Sequence, residues 1–221
     1  MAAFGTRWHS RPGLPAWARQ PGRCPRRQRG HRDPLSRDPP RPRGACNPDA
    51  LAVLCDWIDQ QRQYGDSAGP WWPGYVTTGS TRPRRHRPSW CYGTAGIARA
   101  QQLAGLALRD IARQKLAENA MLAVLEDPAQ RAGLPEVGLC HGRAGLLQAA
   151  WRMAVTSTDP YLAGRLHAEL RGLATQLASQ LVVARAASPE LMDGTAGAVL
   201  ALYTASAGVP VTGWDAVLCL S

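Results

Sequence analysis

Three glycine-framed turns constrain this chain more than any other feature of its sequence. Gly93-Thr94-Ala95-Gly96, Gly142-Arg143-Ala144-Gly145 and Gly194-Thr195-Ala196-Gly197 each open a stretch rich in Ala and Leu, and their first glycines stand 49 and 52 residues apart. A period of that length is the signature of stacked α/α units, in an open solenoid or a closed toroid. Each unit then reads as an inner helix, a loop and an outer helix. Glycine at the start of an inner helix permits a tight turn where backbones crowd and leaves N–H groups exposed there. In a closed toroid such turns gather at one end of the central cavity, a natural place for a site.

The stretches around these turns fit an all-α fold. Asn47-Pro48-Asp49 reads as a helix start, followed by Leu51, Leu54, Cys55 and Ile58 at helical spacing and ended by Tyr64-Gly65. A long loop over about 66–90 carries Pro70-Trp71-Trp72-Pro73-Gly74 and the basic cluster Arg82, Arg84, Arg85, His86 and Arg87. Its paired tryptophans either pin the loop on the core or form one wall of a cleft. Helices are expected over about 95–107, from the Asp110 cap to before Pro128 with Ile111, Leu116, Met121, Leu122 and Leu125 inward, after Gly145, after the Asp159 cap, and over about 197–206. Leucines at 162, 166, 170, 173, 177 and 181 follow one helical face. Strand formers are scarce, with one Phe and five Tyr, and no convincing strand appears. No apolar run is long enough to span a membrane.

The net charge of +10 belongs to one end of the chain. Residues 1–44 hold 11 Arg against Asp33 and Asp38, a net +9, and eight of the 18 prolines. The segment lacks Lys and the interleaved aromatics of a binding arm, so no nucleic-acid partner is expected. Residues 1–45 are expected to lie outside the fold that spans 46–221. They are either a disordered Arg/Pro-rich extension or a segment read out of frame; the single Lys among 26 basic residues fits GC-rich coding DNA.

Six cysteines, at 24, 46, 55, 91, 140 and 219, form no disulfide framework, and reduced thiols in a cytoplasmic protein are the expectation. Cys91 stands two residues before Gly93, Cys140 two before Gly142, and His141 adjoins Cys140. Thiolate and imidazole are zinc ligands, and three protein ligands with an open fourth position make a catalytic zinc site. Spacing alone leaves two readings open. One is a three-ligand zinc site across adjacent repeats; the other is two buried thiols with a structural histidine.

Trp90-Cys91-Tyr92-Gly93-Thr94-Ala95-Gly96 and Gly138-Leu139-Cys140-His141-Gly142-Arg143-Ala144-Gly145 resemble the two C-terminal signature motifs of the lanthionine synthetase C-like (LanC) cyclases. Pro70-Trp71-Trp72-Pro73-Gly74 resembles the loop before the first motif in bacterial members, and Leu191-Met192-Asp193-Gly194-Thr195-Ala196-Gly197 the last, metal-free repeat. The resemblance runs from about Ala50 to Trp214. It implies an α/α toroid, of which this chain holds an incomplete C-terminal half. It also implies zinc held by Cys91, Cys140 and His141, with Arg87 and Tyr92 as active-site residues. The implied substrate is a precursor peptide whose Ser and Thr have been dehydrated, with a lanthipeptide dehydratase as a further partner. The implied reaction adds a peptide Cys thiol to dehydroalanine or dehydrobutyrine, forming (methyl)lanthionine thioether rings.

The family's earlier Ala-His-Gly-type motif and its upstream acidic site residue have no counterpart here. His86 is the one nearby imidazole, and it stands in the basic loop without an orienting partner evident from sequence. The expectation is a zinc-dependent cyclase-like protein of reduced activity, or a non-catalytic zinc- or peptide-binding remnant of a cyclase.

Overall fold

The structure, a computed structural model, describes residues 47–65, 69–77, 83–183, 188–210 and 212–220. The expected 1–45 segment, Cys24, Cys46 and Arg82 lie outside the described residues.

Seven α-helices carry the fold: α1 Pro48–Gln60, α2 Thr94–Leu108, α3 Ile111–Glu126, α4 Pro128–Ala132, α5 Arg143–Thr156, α6 Pro160–Val183 and α7 Thr195–Ala207. The helix starts follow from side-chain caps. Asn47 Oδ1 accepts from Asp49 N at 3.0 Å, Asp110 Oδ1 from Arg113 N at 3.0 Å and Asp159 Oδ1 from Tyr161 N at 3.0 Å. α2 and α3 form one helical hairpin, α5 and α6 the next. Inner helices α2, α5 and α7 pack in sequence, as do the outer helices α3 and α6. The core lies between these layers, where Met121, Leu122, Leu125, Leu146, Leu147, Leu166 and Leu173 are almost wholly buried.

Several elements differ from the sequence expectation. α1 ends at Gln60, because the chain turns there into a two-residue strand, Gln63–Tyr64, antiparallel to Pro70–Trp71. α5 and α7 begin one residue after the first glycine of each motif, so the motif itself forms the helix's first turn. Asp127 and Pro128 stop α3 and start the short α4, the carboxylate capping Ala129 N. Ile111 faces outward, 60% exposed, because the first turn of α3 lies beyond its packed stretch. Leu54 of α1 is exposed as well.

The tryptophan loop is pinned on the core. Trp72 is buried, its backbone N–H meeting Thr94 Oγ1 at 3.3 Å and its indole donating to Ile58 O at 3.1 Å. The loop therefore ties α1 to the start of α2.

The three motif turns repeat residue for residue. A Cβ on Gly96, Gly145 or Gly197 would sit 1.9, 1.9 or 2.1 Å from the carbonyl oxygen of Trp90, Leu139 or Leu191, six residues earlier in each case. No side chain fits there, which is why the second glycine recurs. Gly93 adds a left-handed backbone, φ +94°. Neighbouring turns are bonded in register: Cys91 N donates to Cys140 O at 3.5 Å, and Cys140 N to Met192 O at 2.9 Å. All three residues stand two before their glycine, so the stack places equivalent positions side by side.

Candidate metal centre

Stacking in register converts sequence repeats into a cluster. The position two before the glycine holds Cys91, Cys140 and Met192; the next position holds Tyr92, His141 and Asp193. Ligand atoms of Cys91, Cys140 and His141 all lie within 4.8 Å of one another. Cys140 Sγ and His141 Nε2 are 3.8 Å apart. With Zn–S about 2.3 Å and Zn–N about 2.0 Å, tetrahedral geometry asks for about 3.6 Å between such atoms. The donor set, two thiols and one imidazole, therefore fits a zinc ion on both chemistry and spacing. It also leaves a fourth position to a further ligand.

Each donor is held by its surroundings. Ser89 is buried and fixes the first turn: its hydroxyl donates to Tyr92 O at 2.8 Å, accepts from Tyr92 N at 3.1 Å, and lies 3.7 Å from Cys91 Sγ. Cys91 Sγ donates to Cys140 O at 3.2 Å, linking the two ligand turns. His141 Nδ1 faces Asp193 Oδ1 at 3.3 Å. A carboxylate on Nδ1 fixes the ring with Nε2 free, the arrangement usual behind a metal-binding histidine. Burial pushes the Cys140 thiol up to about 12, with the adjacent Cys91 and Asp193 adding to it.

Rings extend from the cluster. Tyr92 stacks on His141 with centroids 6.3 Å apart, Tyr75 lies 5.0 Å from Tyr92, and His86 meets Tyr75 edge-on at 5.1 Å. Tyr92 is 40% exposed, so it is no core aromatic. Tyr75, through charge and hydrogen bonding, raises the Tyr92 phenol above its ordinary range. His86 has an orienting partner after all in Tyr75. Arg87 is 3.4 Å from Glu136 across the two repeats, and both line a cavity of about 390 Å³ with His141 and Asp193.

The structure thus brings together Cys91, Cys140, His141, Tyr92 and Arg87, while Cys55 is buried in α1 and Cys219 is exposed near the end of the chain. Sequence reasoning missed Asp193, Ser89 and Tyr75. Asp193 carried a usable signal, since it occupies the His141 position of the third repeat. Tyr75 lies outside the repeat, and Ser89 has Gly138 and Glu190 at its equivalent positions, so neither carried a signal.

Residues 47–218 match the family profile described as lanthionine synthetase C-like protein. Among solved structures, nisin cyclase is similar, with a TM-score of 0.65 and 19% sequence identity over 80% of this chain. The match covers 45% of nisin cyclase, so this chain spans less than half of its length. No curated protein of similar sequence was found. Because the matched residues make up most of this chain, the chain belongs to the lanthionine synthetase C-like family.

Proposed function

We propose that the chain carries the zinc-binding half-site of a peptide cyclase acting on dehydrated precursor peptides. The observation that carries this reading is the convergence of Cys91, Cys140 and His141, three zinc-type donors from two adjacent repeats. Family membership and the fold shared with nisin cyclase support it.

Zinc, when bound, favours the thiolate form of an incoming cysteine, and the thiolate is the nucleophile. Cys91 and Cys140 supply the sulfur ligands and His141 Nε2 the nitrogen. Asp193 holds the proton on Nδ1 and the plane of the ring. In the reaction the peptide S–H adds across a Cα=Cβ bond. An S–Cβ bond forms, the π pair moves toward the neighbouring carbonyl, and a proton is delivered to Cα. Arg87, partly exposed beside the cluster, is suited to hold the negative charge that develops on that carbonyl oxygen. Tyr92 offers a protonated phenol at the same rim. Free thiols at Cys55, Cys91, Cys140 and Cys219 suit a reducing, cytoplasmic setting, and no helix among the described residues is long and apolar enough to cross a membrane.

The 45% coverage of nisin cyclase favours a second reading, a zinc- and peptide-binding part that does not turn over by itself. Turnover of a dehydrated peptide, followed as loss of alkylatable thiol at constant mass, separates the two. Ring formation dependent on zinc supports the cyclase. Stoichiometric zinc without ring formation supports the second reading, and absence of zinc binding overturns both.

A further inference from the structure

The segment after α7 returns to the inner helices. Its 3₁₀ turn, Trp214–Leu218, puts Asp215 and Leu218 in the interior, with Leu220 buried beyond it. Asp215 is wholly buried and takes two bonds from Arg152, Nε at 2.5 Å and Nη2 at 2.6 Å, and a third from Gln148 Nε2 at 2.6 Å. Both partners belong to α5. Two residues past the turn, Leu220 O accepts from Arg99 of α2 through Nε at 2.9 Å and Nη2 at 2.6 Å. Between these anchors, Leu218 O accepts the indole N–H of Trp90 at 3.1 Å. Trp90 immediately precedes Cys91.

These contacts join the two elements that present the candidate ligands. α2 follows the Cys91 turn, and α5 follows the Cys140-His141 turn. Trp90 itself packs into the second turn, since a Cβ on Gly145 would lie 3.2 Å from Trp90 Cβ. Trp90 therefore joins both ligand turns to the final segment, its Cβ against the Gly145 turn and its indole on Leu218 O. A buried carboxylate bonded by a guanidinium and an amide is costly to displace, because any partner left alone stays buried without compensation.

We propose that residues 214–220 are a strap that sets the Cys91–Cys140 spacing, with Trp90, Asp215 and Arg99 as positioning residues. The inference rests on the metal-centre reading for its consequence, whereas the geometry it asserts concerns only the two sulfurs. Outer-shell changes at metal sites typically weaken binding 10–100-fold.

The test uses the full chain with Trp90→Phe, which removes the indole donor and keeps an aromatic ring, and Asp215→Asn, which keeps the shape and removes the charge. Two readouts are taken: zinc affinity against a chromophoric chelator, and bridging of Cys91 to Cys140 by dibromobimane in metal-free protein, located by peptide mass mapping. Circular dichroism and thermal melting monitor the fold. The expected result is about a tenfold loss of zinc affinity and slower bridging in both variants, at unchanged helix content. Lower melting temperature with unchanged affinity and bridging would overturn the proposal and leave the strap a stabilising element only. If the parent protein binds no zinc, the metal-centre reading fails, and bridging alone still decides whether the strap sets the spacing.

Discussion

At the scale of single residues, register explains the site. Asp193 stands where Tyr92 and His141 stand in the earlier repeats, and its carboxylate reaches His141 Nδ1. Replacing Asp193 by Ala is expected to lower zinc affinity about tenfold with the fold intact, since the side chain is exposed; competition with a chelator measures it. Removal of Cys91, Cys140 or His141 should weaken zinc binding further than Asp193→Ala does. Cys55→Ala and Cys219→Ala should retain it, because neither thiol joins the cluster. Loss of metal in either of these two variants would mean that the wrong thiols were chosen.

At the scale of elements, glycines divide into two kinds. A Cβ at Gly96 or Gly145 meets a carbonyl oxygen at 1.9 Å, whereas at Gly172 in α6 nothing lies within 4 Å. Gly145→Ala should therefore cost about 3 kcal/mol in chemical denaturation, and Gly172→Ala should stabilise by about 0.5–1 kcal/mol. The second element-level expectation concerns pH. Burial acts to raise the Asp215 carboxyl, but the bonds from Arg152 and Gln148 more than offset it and hold it below the ordinary range. A carboxyl depressed in the native state stabilises above its unfolded value of about 3.9, and that contribution is lost as pH falls through the native value. Asp215→Asn should flatten the acid limb of stability measured against pH; an unchanged acid limb would contradict this. Helix existence was legible in the sequence because Asn47, Asp110 and Asp159 act locally as caps. The direction of Ile111 was not, since helical spacing alone cannot say where a helix's packed stretch begins. Asp215 and Leu220 were equally illegible: their partners stand 63–67 and 121 residues away, and no local pattern announces such a pairing.

At the scale of the whole molecule, α2, α5 and α7 alternate with α3 and α6, and among the described residues no outer helix follows α7. A groove of about 1030 Å³ lies there, lined by Leu170, Ala174, Val199, Leu202 and Tyr203. The repeat was readable because every unit must seat the same two glycines under the same carbonyls. The repeat gathers two sulfurs and one imidazole nitrogen from neighbouring units at its turns, and the proposal is that they hold one zinc ion. Zinc K-edge X-ray absorption on the protein loaded with one equivalent tests it most directly. The expected first shell has two sulfur scatterers at about 2.3 Å and one imidazole at about 2.0 Å, with one sulfur lost in Cys91→Ser. A first shell of nitrogen and oxygen alone, or one unchanged by that substitution, would contradict it.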